Sequence, residues 1–242
     1  MNNELRSGFA QSRFWDCVSG LPCVLFCLFA ISGFAILIGK QIAQPVNLTL
    51  AARIVSEMGS IVFFSMAAVL ICVRRLPLRK LTGLVPRLTA LLAAYSYFAL
   101  VLLPRAAPSA PLAITSSTLL LVGIVGSIVT ISYLGRSFAI LPQARRLVIG
   151  GTYRYARHPL YLCEQISLFG VSLQFQQPWA LLVALTGCML QFPRMHFEER
   201  VLLEAFPQYS DYRKRTALLI PGIGPRCLQP TAESIGRCHH NS

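Results

Sequence analysis

Residues 112–134 read LAITSSTLLLVGIVGSIVTISYL, a run without one acidic or basic side chain. A helix of about 20 apolar residues spans the ~30 Å hydrocarbon core of a bilayer and satisfies its own backbone where no water can. Comparable blocks lie on either side: Cys17–Gly39, Ile54–Val73 and Leu88–Leu103 before it, Leu160–Phe175 and Trp179–Phe192 after it. The last two are short for a span and are separated by Gln176-Gln177-Pro178, so a tight hairpin is expected there. The first block is too long for the apolar core of a signal peptide and reads as a retained span. Composition agrees, with 55% of the 242 residues hydrophobic and 13% charged, the latter about half the usual fraction of a soluble domain. The predicted fold class is all-α: a polytopic transmembrane helical bundle of about six spans with a cytoplasmic C-terminal helical tail.

The charges that remain are mostly positive, giving a net +13, and they fall between the apolar blocks. Arg74, Arg75, Arg79, Lys80 and Arg87 follow the second block. Arg136, Arg145, Arg146, Arg154 and Arg157 follow the fourth, and Arg194, Arg200, Arg213, Lys214 and Arg215 follow the last. The alternate loops carry little beyond Lys40, Arg53 and Arg105. Basic residues stay on the cytoplasmic side, so both termini are expected there in a multi-pass integral membrane protein. The chain carries no basic helix or aromatic-basic motif, which argues against nucleic acid as a partner; membrane lipids suit the same charges. Glu57 and Glu164 lie near span ends, which leaves the bilayer midplane without the ionisable groups an ion-coupled transporter uses. Cys17, Cys23, Cys27, Cys72, Cys163 and Cys188 lie in or beside apolar blocks, with no C-x-x-C pair, and read as small apolar residues. No metal site is expected.

Polar chemistry gathers in two stretches, both on the expected cytoplasmic side. The first runs from Gly150-Gly151 through Tyr153, Arg157-His158-Pro159 and Tyr161 to Glu164. The glycine pair allows a turn with positive φ. Pro159 suits the first position of a helix, and the residue before a proline is kept out of the helical region. Arg157 and His158 are therefore expected at the mouth of the fifth span, with Tyr161 and Glu164 on one helix face about a turn inside. The second stretch follows the last span without a break, from Phe197-Glu198-Glu199 to Tyr212-Arg213. Taken singly, these residues read as lipid anchors or as the solvated face of a surface helix. An inward Glu164 and a Glu pair beside an anionic leaflet are harder to account for in that way.

Gly151-x-Tyr153 followed by Arg157-His158-Pro159-x-Tyr161-x-x-Glu164 resembles the signature of the isoprenylcysteine carboxyl methyltransferase and phospholipid methyltransferase superfamily. Glu198-Glu199-x-x-Leu202 with Phe206, Tyr209, Tyr212 and Arg213 resembles its second block, and Leu134-Gly135-Arg136-x-Phe138 with Gln143 its approach segment. The similarity covers roughly Leu112–Pro221. Cys163 and Pro207 depart from it, standing where many relatives have glycine.

The resemblance implies an S-adenosylmethionine-dependent methyltransferase. The cofactor would be enclosed between the Arg-His-Pro loop and the tail helix, and a lipophilic or small-molecule methyl acceptor would enter from the bilayer. Tyr153, His158, Tyr161, Glu164, Glu198 and Glu199 are the expected cofactor-binding residues, and Arg157, His158 and Glu198 the expected catalytic ones. Arg157 or Arg154 would pair with a carboxylate of the cofactor or with an anionic acceptor, and the ring of Tyr153 or Tyr161 would face the sulfonium. The acceptor is left open between a carboxylate, a thiol and an amine. A membrane reductase using a nicotinamide cofactor, a transporter and a non-catalytic scaffold are the competing classes. The expected division is 1–111 as N-terminal transmembrane helices, 112–221 as the methyltransferase-like region with the cofactor site, and 222–242 as a flexible tail.

Overall fold

The computed structural model describes residues 3–45, 47–81, 83–106 and 108–221. The segment 222–242, expected as a tail, lies outside the described residues. The fold is mostly helical, in the order α1 (Asn3–Gln41), α2 (Leu48–Val73), α3 (Leu84–Ala94), α4 (Tyr97–Val101), α5 (Ala110–Leu134), α6 (Pro159–Ser172), α7 (Trp179–Ala205) and α8 (Tyr209–Arg215). Two short strands, β1 (Arg79–Lys80) and β2 (Gln143–Ala144), pair antiparallel with Arg79 opposite Ala144 and Lys80 opposite Gln143.

Among the described residues, three helical segments are long and apolar enough to cross a membrane: Val18–Gln41, Leu48–Val73 and Ala110–Ser137. Of the about six spans expected, three are found among the described residues; the other three apolar blocks form shorter or mixed helices. The block Leu88–Leu103 is broken into α3 and α4. The break falls where Ser96 packs against Gly187 of α7 and where the Tyr97 hydroxyl donates to the carbonyl of Glu164 at 2.7 Å. α6 has 14 residues, and the apolar part of α7 ends before Pro193 and Arg194. Beyond that point the same helix continues to Ala205 with apolar residues such as Met195 and Val201 buried and the charged Glu198, Glu199 and Arg200 between them.

Helices α1, α2, α5, α6 and α7 pack in sequence, and α3 lies on α7. Large apolar side chains remain exposed along them, including Leu25 and Phe29 on α1, Val62 and Val69 on α2, Val125 on α5, and Leu182 and Met189 on α7. Such a belt would be costly in water and suits lipid. The closest approach is between α5 and α6. A Cβ built on Gly123 would stand 2.2 Å from Ser167 Oγ and 2.6 Å from its backbone nitrogen, so no larger residue fits without parting the helices. Cys23 and Cys27 are buried with Ile71, Ile131, Phe138 and Leu160, acting as small apolar residues, whereas Cys72 is exposed.

Candidate functional site

Local chemistry positions the first stretch. Gly151 adopts φ +61° and opens a 3-10 turn over Gly151–Arg154. A Cβ there would lie 2.4 Å from the Tyr133 ring, so both conformation and space call for glycine. His158 stands outside the helical region at φ −127°, ψ 54°, and α6 starts on Pro159. The chain then straps the loop from outside. The Arg157 and His158 amides donate to the Ala217 and Leu218 carbonyls at 2.8 and 3.0 Å, and the Tyr212 hydroxyl donates to the Tyr153 carbonyl at 2.5 Å.

The two stretches meet through the paired glutamates of α7. Glu199 is buried, with Arg157 Nη1 at 2.6 Å, Arg213 Nε at 3.2 Å and His158 Nε2 at 3.4 Å from its carboxylate. Burial acts to raise the Glu199 carboxyl, but His158, Arg157 and Arg213 outweigh it and hold it below the usual range. Glu198 turns to the neighbouring direction, where its Oε2 accepts the Tyr161 hydroxyl at 2.5 Å. The Tyr161 ring stacks on His158 with centroids 5.3 Å apart and an interplanar angle of 5°. Arg194 also lies over this ring, with Cζ 4.4 Å from its centroid. The cation over Tyr161 is therefore a residue of the chain, and of the two rings expected to face a sulfonium only Tyr153 lines the cleft described below.

A deeper polar layer connects α6 and α7. Gln191 Nε2 donates to Glu164 Oε2 at 3.3 Å, Arg194 Nη1 stands 3.8 Å from the same oxygen, and Arg194 Nη2 donates to the Ile140 carbonyl at 3.2 Å. Glu164 is thus balanced by Gln191 and Arg194, one layer below the loop.

Above this network lies a small, partly open cleft. Tyr153, Arg157 and Glu198 line it, together with Gln143, Arg145, Arg146, Tyr209 and Tyr212 and an apolar side from Leu134, Leu147 and Leu202. His158, Tyr161 and Glu199 support these groups from behind, and Glu164 is in the deeper layer. Arg154 is exposed. Burial raises the phenols of Tyr153 and Tyr209, helped by the Glu198 charge at Tyr153 and by Glu199 and Glu198 at Tyr209, so they remain neutral donors. Several buried polar atoms around the cleft lack a hydrogen-bond partner among the described residues: Arg157 Nε, Arg145 Nε, Thr152 Oγ1 and the Tyr209 hydroxyl. Such atoms are costly unless something pairs with them. They offer donors to a ligand that carries carboxylate and hydroxyl oxygens, while Glu198 offers an acceptor.

Residues 110–209 match the phospholipid methyltransferase family. This family lies within the isoprenylcysteine carboxyl methyltransferase superfamily, in keeping with the resemblance of the two motif blocks. The matched segment starts at α5 and ends at the first residue of α8, so it holds both glutamates and the Arg-His-Pro loop. The chain is also similar to the cobalt-zinc-cadmium resistance protein CzcN of Cupriavidus metallidurans, 30% identical over 132 residues, which are 52% of this chain and 58% of that protein. It is 31% identical to the nickel-cobalt-cadmium resistance protein NccN of Alcaligenes xylosoxydans xylosoxydans over 113 residues, 45% of this chain and 52% of that protein. The chain therefore spans little more than half the length of these relatives.

Sequence reasoning did not single out Arg194, Gln191 or Asp16. A signal existed for Arg194, a lone cation four residues before Glu198 on one helix face. Gln191 gave none beyond its polarity in an apolar run. Asp16 was visible only as one of few acids in a basic chain.

Proposed function

We propose that the chain is an S-adenosylmethionine-dependent methyltransferase of the membrane. Its site lies on the cytoplasmic side, between the Arg157-His158-Pro159 loop and the α7–α8 junction. The observation that carries this reading is the division of labour between adjacent glutamates. Glu199 is neutralised inside the fold by Arg157, His158 and Arg213, while Glu198 lines the cleft and, among the described residues, accepts from the Tyr161 hydroxyl. A cleft-facing carboxylate beside partnerless donors suits a zwitterionic, hydroxyl-bearing cofactor.

When bound, S-adenosylmethionine supplies a methyl group on a positively charged sulfur. Glu198 accepts hydrogen bonds from its hydroxyl or amino groups, held in place by Tyr161. Arg157 Nε, free of the Glu199 contact, is available to a carboxylate. Tyr153 and Tyr209, kept neutral by burial, donate without adding charge next to the sulfonium. The strap of residues 212–218 over the loop excludes water, and the rest of the task is alignment. The acceptor is lipophilic or small; a carboxylate or thiolate acceptor needs no general base, whereas an ammonium does.

The test is equilibrium binding of labelled S-adenosylmethionine to detergent-purified protein, with Glu198→Ala, Glu199→Ala and His158→Ala beside the wild type. Saturable binding that these variants lose supports the reading. A folded wild type that binds no S-adenosylmethionine but binds a reduced nicotinamide dinucleotide would replace it with the reductase.

A further inference from the structure

The cleft wall containing Gln143 and Arg145 is held from an unexpected place. Asp16, inside the N-terminal half of α1 and 4% exposed, receives Arg145 Nη2 on Oδ1 at 3.0 Å and Arg74 Nε on Oδ2 at 2.9 Å. The Arg74 guanidinium also donates to the Asp16 backbone carbonyl at 2.5 Å, and Lys80 Nζ lies 3.8 Å from Oδ1. The Arg145 side chain is 0% exposed; it donates to Gln143 Oε1 at 2.6 Å, and its Nε has no partner. Three elements outside α1 therefore point cations at one carboxylate: the end of α2, β1, and the segment after β2.

An arginine cannot shed its charge in a protein. Without the Asp16 carboxylate, two buried guanidiniums and Lys80 would face one another with no anion recorded between them. Something must move, and the secondary structure says which part. Arg74 is anchored as the C-cap of a 26-residue helix. Arg145 follows a two-residue strand whose backbone is held by the Leu78 amide on the Ala144 carbonyl at 2.7 Å and the Leu81 amide on the Pro142 carbonyl at 3.3 Å. The weakly held element is the cleft wall.

We infer that Asp16 is a positioning residue for the cleft, acting through Arg145, so that α1 completes a site whose family-matched segment begins only at residue 110. The role in cofactor binding rests on the function proposed above; the tether itself does not. It also gives the N-terminal helices a task beyond anchoring.

The experiment uses the full chain purified in detergent, as wild type, Asp16→Asn and Asp16→Glu, with two readouts. Amide hydrogen exchange reports on Leu78, Leu81 and residues 143–148 against α5 and α6. Equilibrium binding reports on S-adenosylmethionine. Asp16→Asn is expected to speed exchange in the wall while α5 and α6 keep their protection, and to weaken binding about tenfold, the scale of one charge-assisted hydrogen bond lost from a displaced wall. Asp16→Glu, which keeps the charge, is expected to recover most of both. Unchanged exchange in the wall overturns the tether. Faster exchange spread evenly over α5 and α6 overturns it in favour of a general staple. Loosened exchange with unaltered binding overturns the positioning role. If the wild type binds no S-adenosylmethionine, the proposed function falls, and the exchange pattern still decides for or against the tether.

Discussion

Glu198 and Glu199 are neighbours in sequence, yet replacing each by glutamine is expected to fail in different ways. Glu199→Gln removes the charge facing Arg157, whose side chain is 11% exposed, and His158, at 4%. Breaking a buried pair from one side costs about 3–5 kcal/mol. The Arg213 contact adds little, because that side chain is 48% exposed and its pairing is screened. A working figure is about 3 kcal/mol, which lowers the melting temperature of a chain this size by roughly 6–12 °C. Glu198→Gln keeps an acceptor for the Tyr161 hydroxyl and leaves no buried cation bare. Its melting temperature is expected within about 2 °C of wild type, while loss of a charge-assisted contact of about 1.5 kcal/mol or more weakens S-adenosylmethionine binding about tenfold or more. Thermal unfolding in detergent, read by tryptophan fluorescence beside labelled-cofactor binding, separates the two effects. The reverse pattern, with Glu198→Gln unstable and Glu199→Gln stable, would refute the assignment of one carboxylate to the fold and the other to the ligand.

Tyr161→Phe is expected to keep its stacking on His158 and Arg194 but to lose the hydroxyl that orients Glu198, lowering cofactor affinity about tenfold with little change in melting temperature. Gly123→Ala places a methyl group against Ser167 and the Cys163 carbonyl; a loss of roughly 1–3 kcal/mol should appear in thermal unfolding, whereas Gly33→Ala, where nothing lies within 4 Å, should not destabilise. Acid should act through Glu199. Its folded value is lowered, so its stabilisation is fully present above the ordinary carboxylate value of about 4.3 and is lost as pH falls through the lower folded value. Melting temperature should therefore fall on acidification below that range, and Glu199→Gln should flatten this part of the profile; an identical acid slope in both proteins would contradict the assignment.

What the sequence made legible was local. Pro159 as a helix start, the positive φ at Gly151 and the unbroken passage from the last apolar block into the glutamates each follow from a few consecutive residues. The helix break at Tyr95–Ser96 did not, because it depends on α7 crossing at Gly187 and on a carbonyl of α6. Arg194 over Tyr161 was hidden for the same reason, since nothing in either segment says that their faces meet. Asp16 and Arg145 are 129 positions apart, and the packing of α1 against the segments after α2 and β2 joins them. Block length marks six apolar runs, of which three form long apolar helices among the described residues, because apolar runs also bury themselves against protein, as α6 does against α5.

Helix α7 is a ruler as well as a support. Six residues of unbroken helix set Glu198 about 9 Å along the axis from Phe192, at the end of the apolar run of α7. The headgroup layer on one side of a bilayer is roughly 5–8 Å deep. On the function proposed above, with Phe192 level with the edge of the hydrocarbon, the carboxylate would stand at the upper boundary of that layer. A tethered acceptor would be met not among the acyl chains but where its polar end emerges, and the length of one helix would select which atom of that end comes within reach.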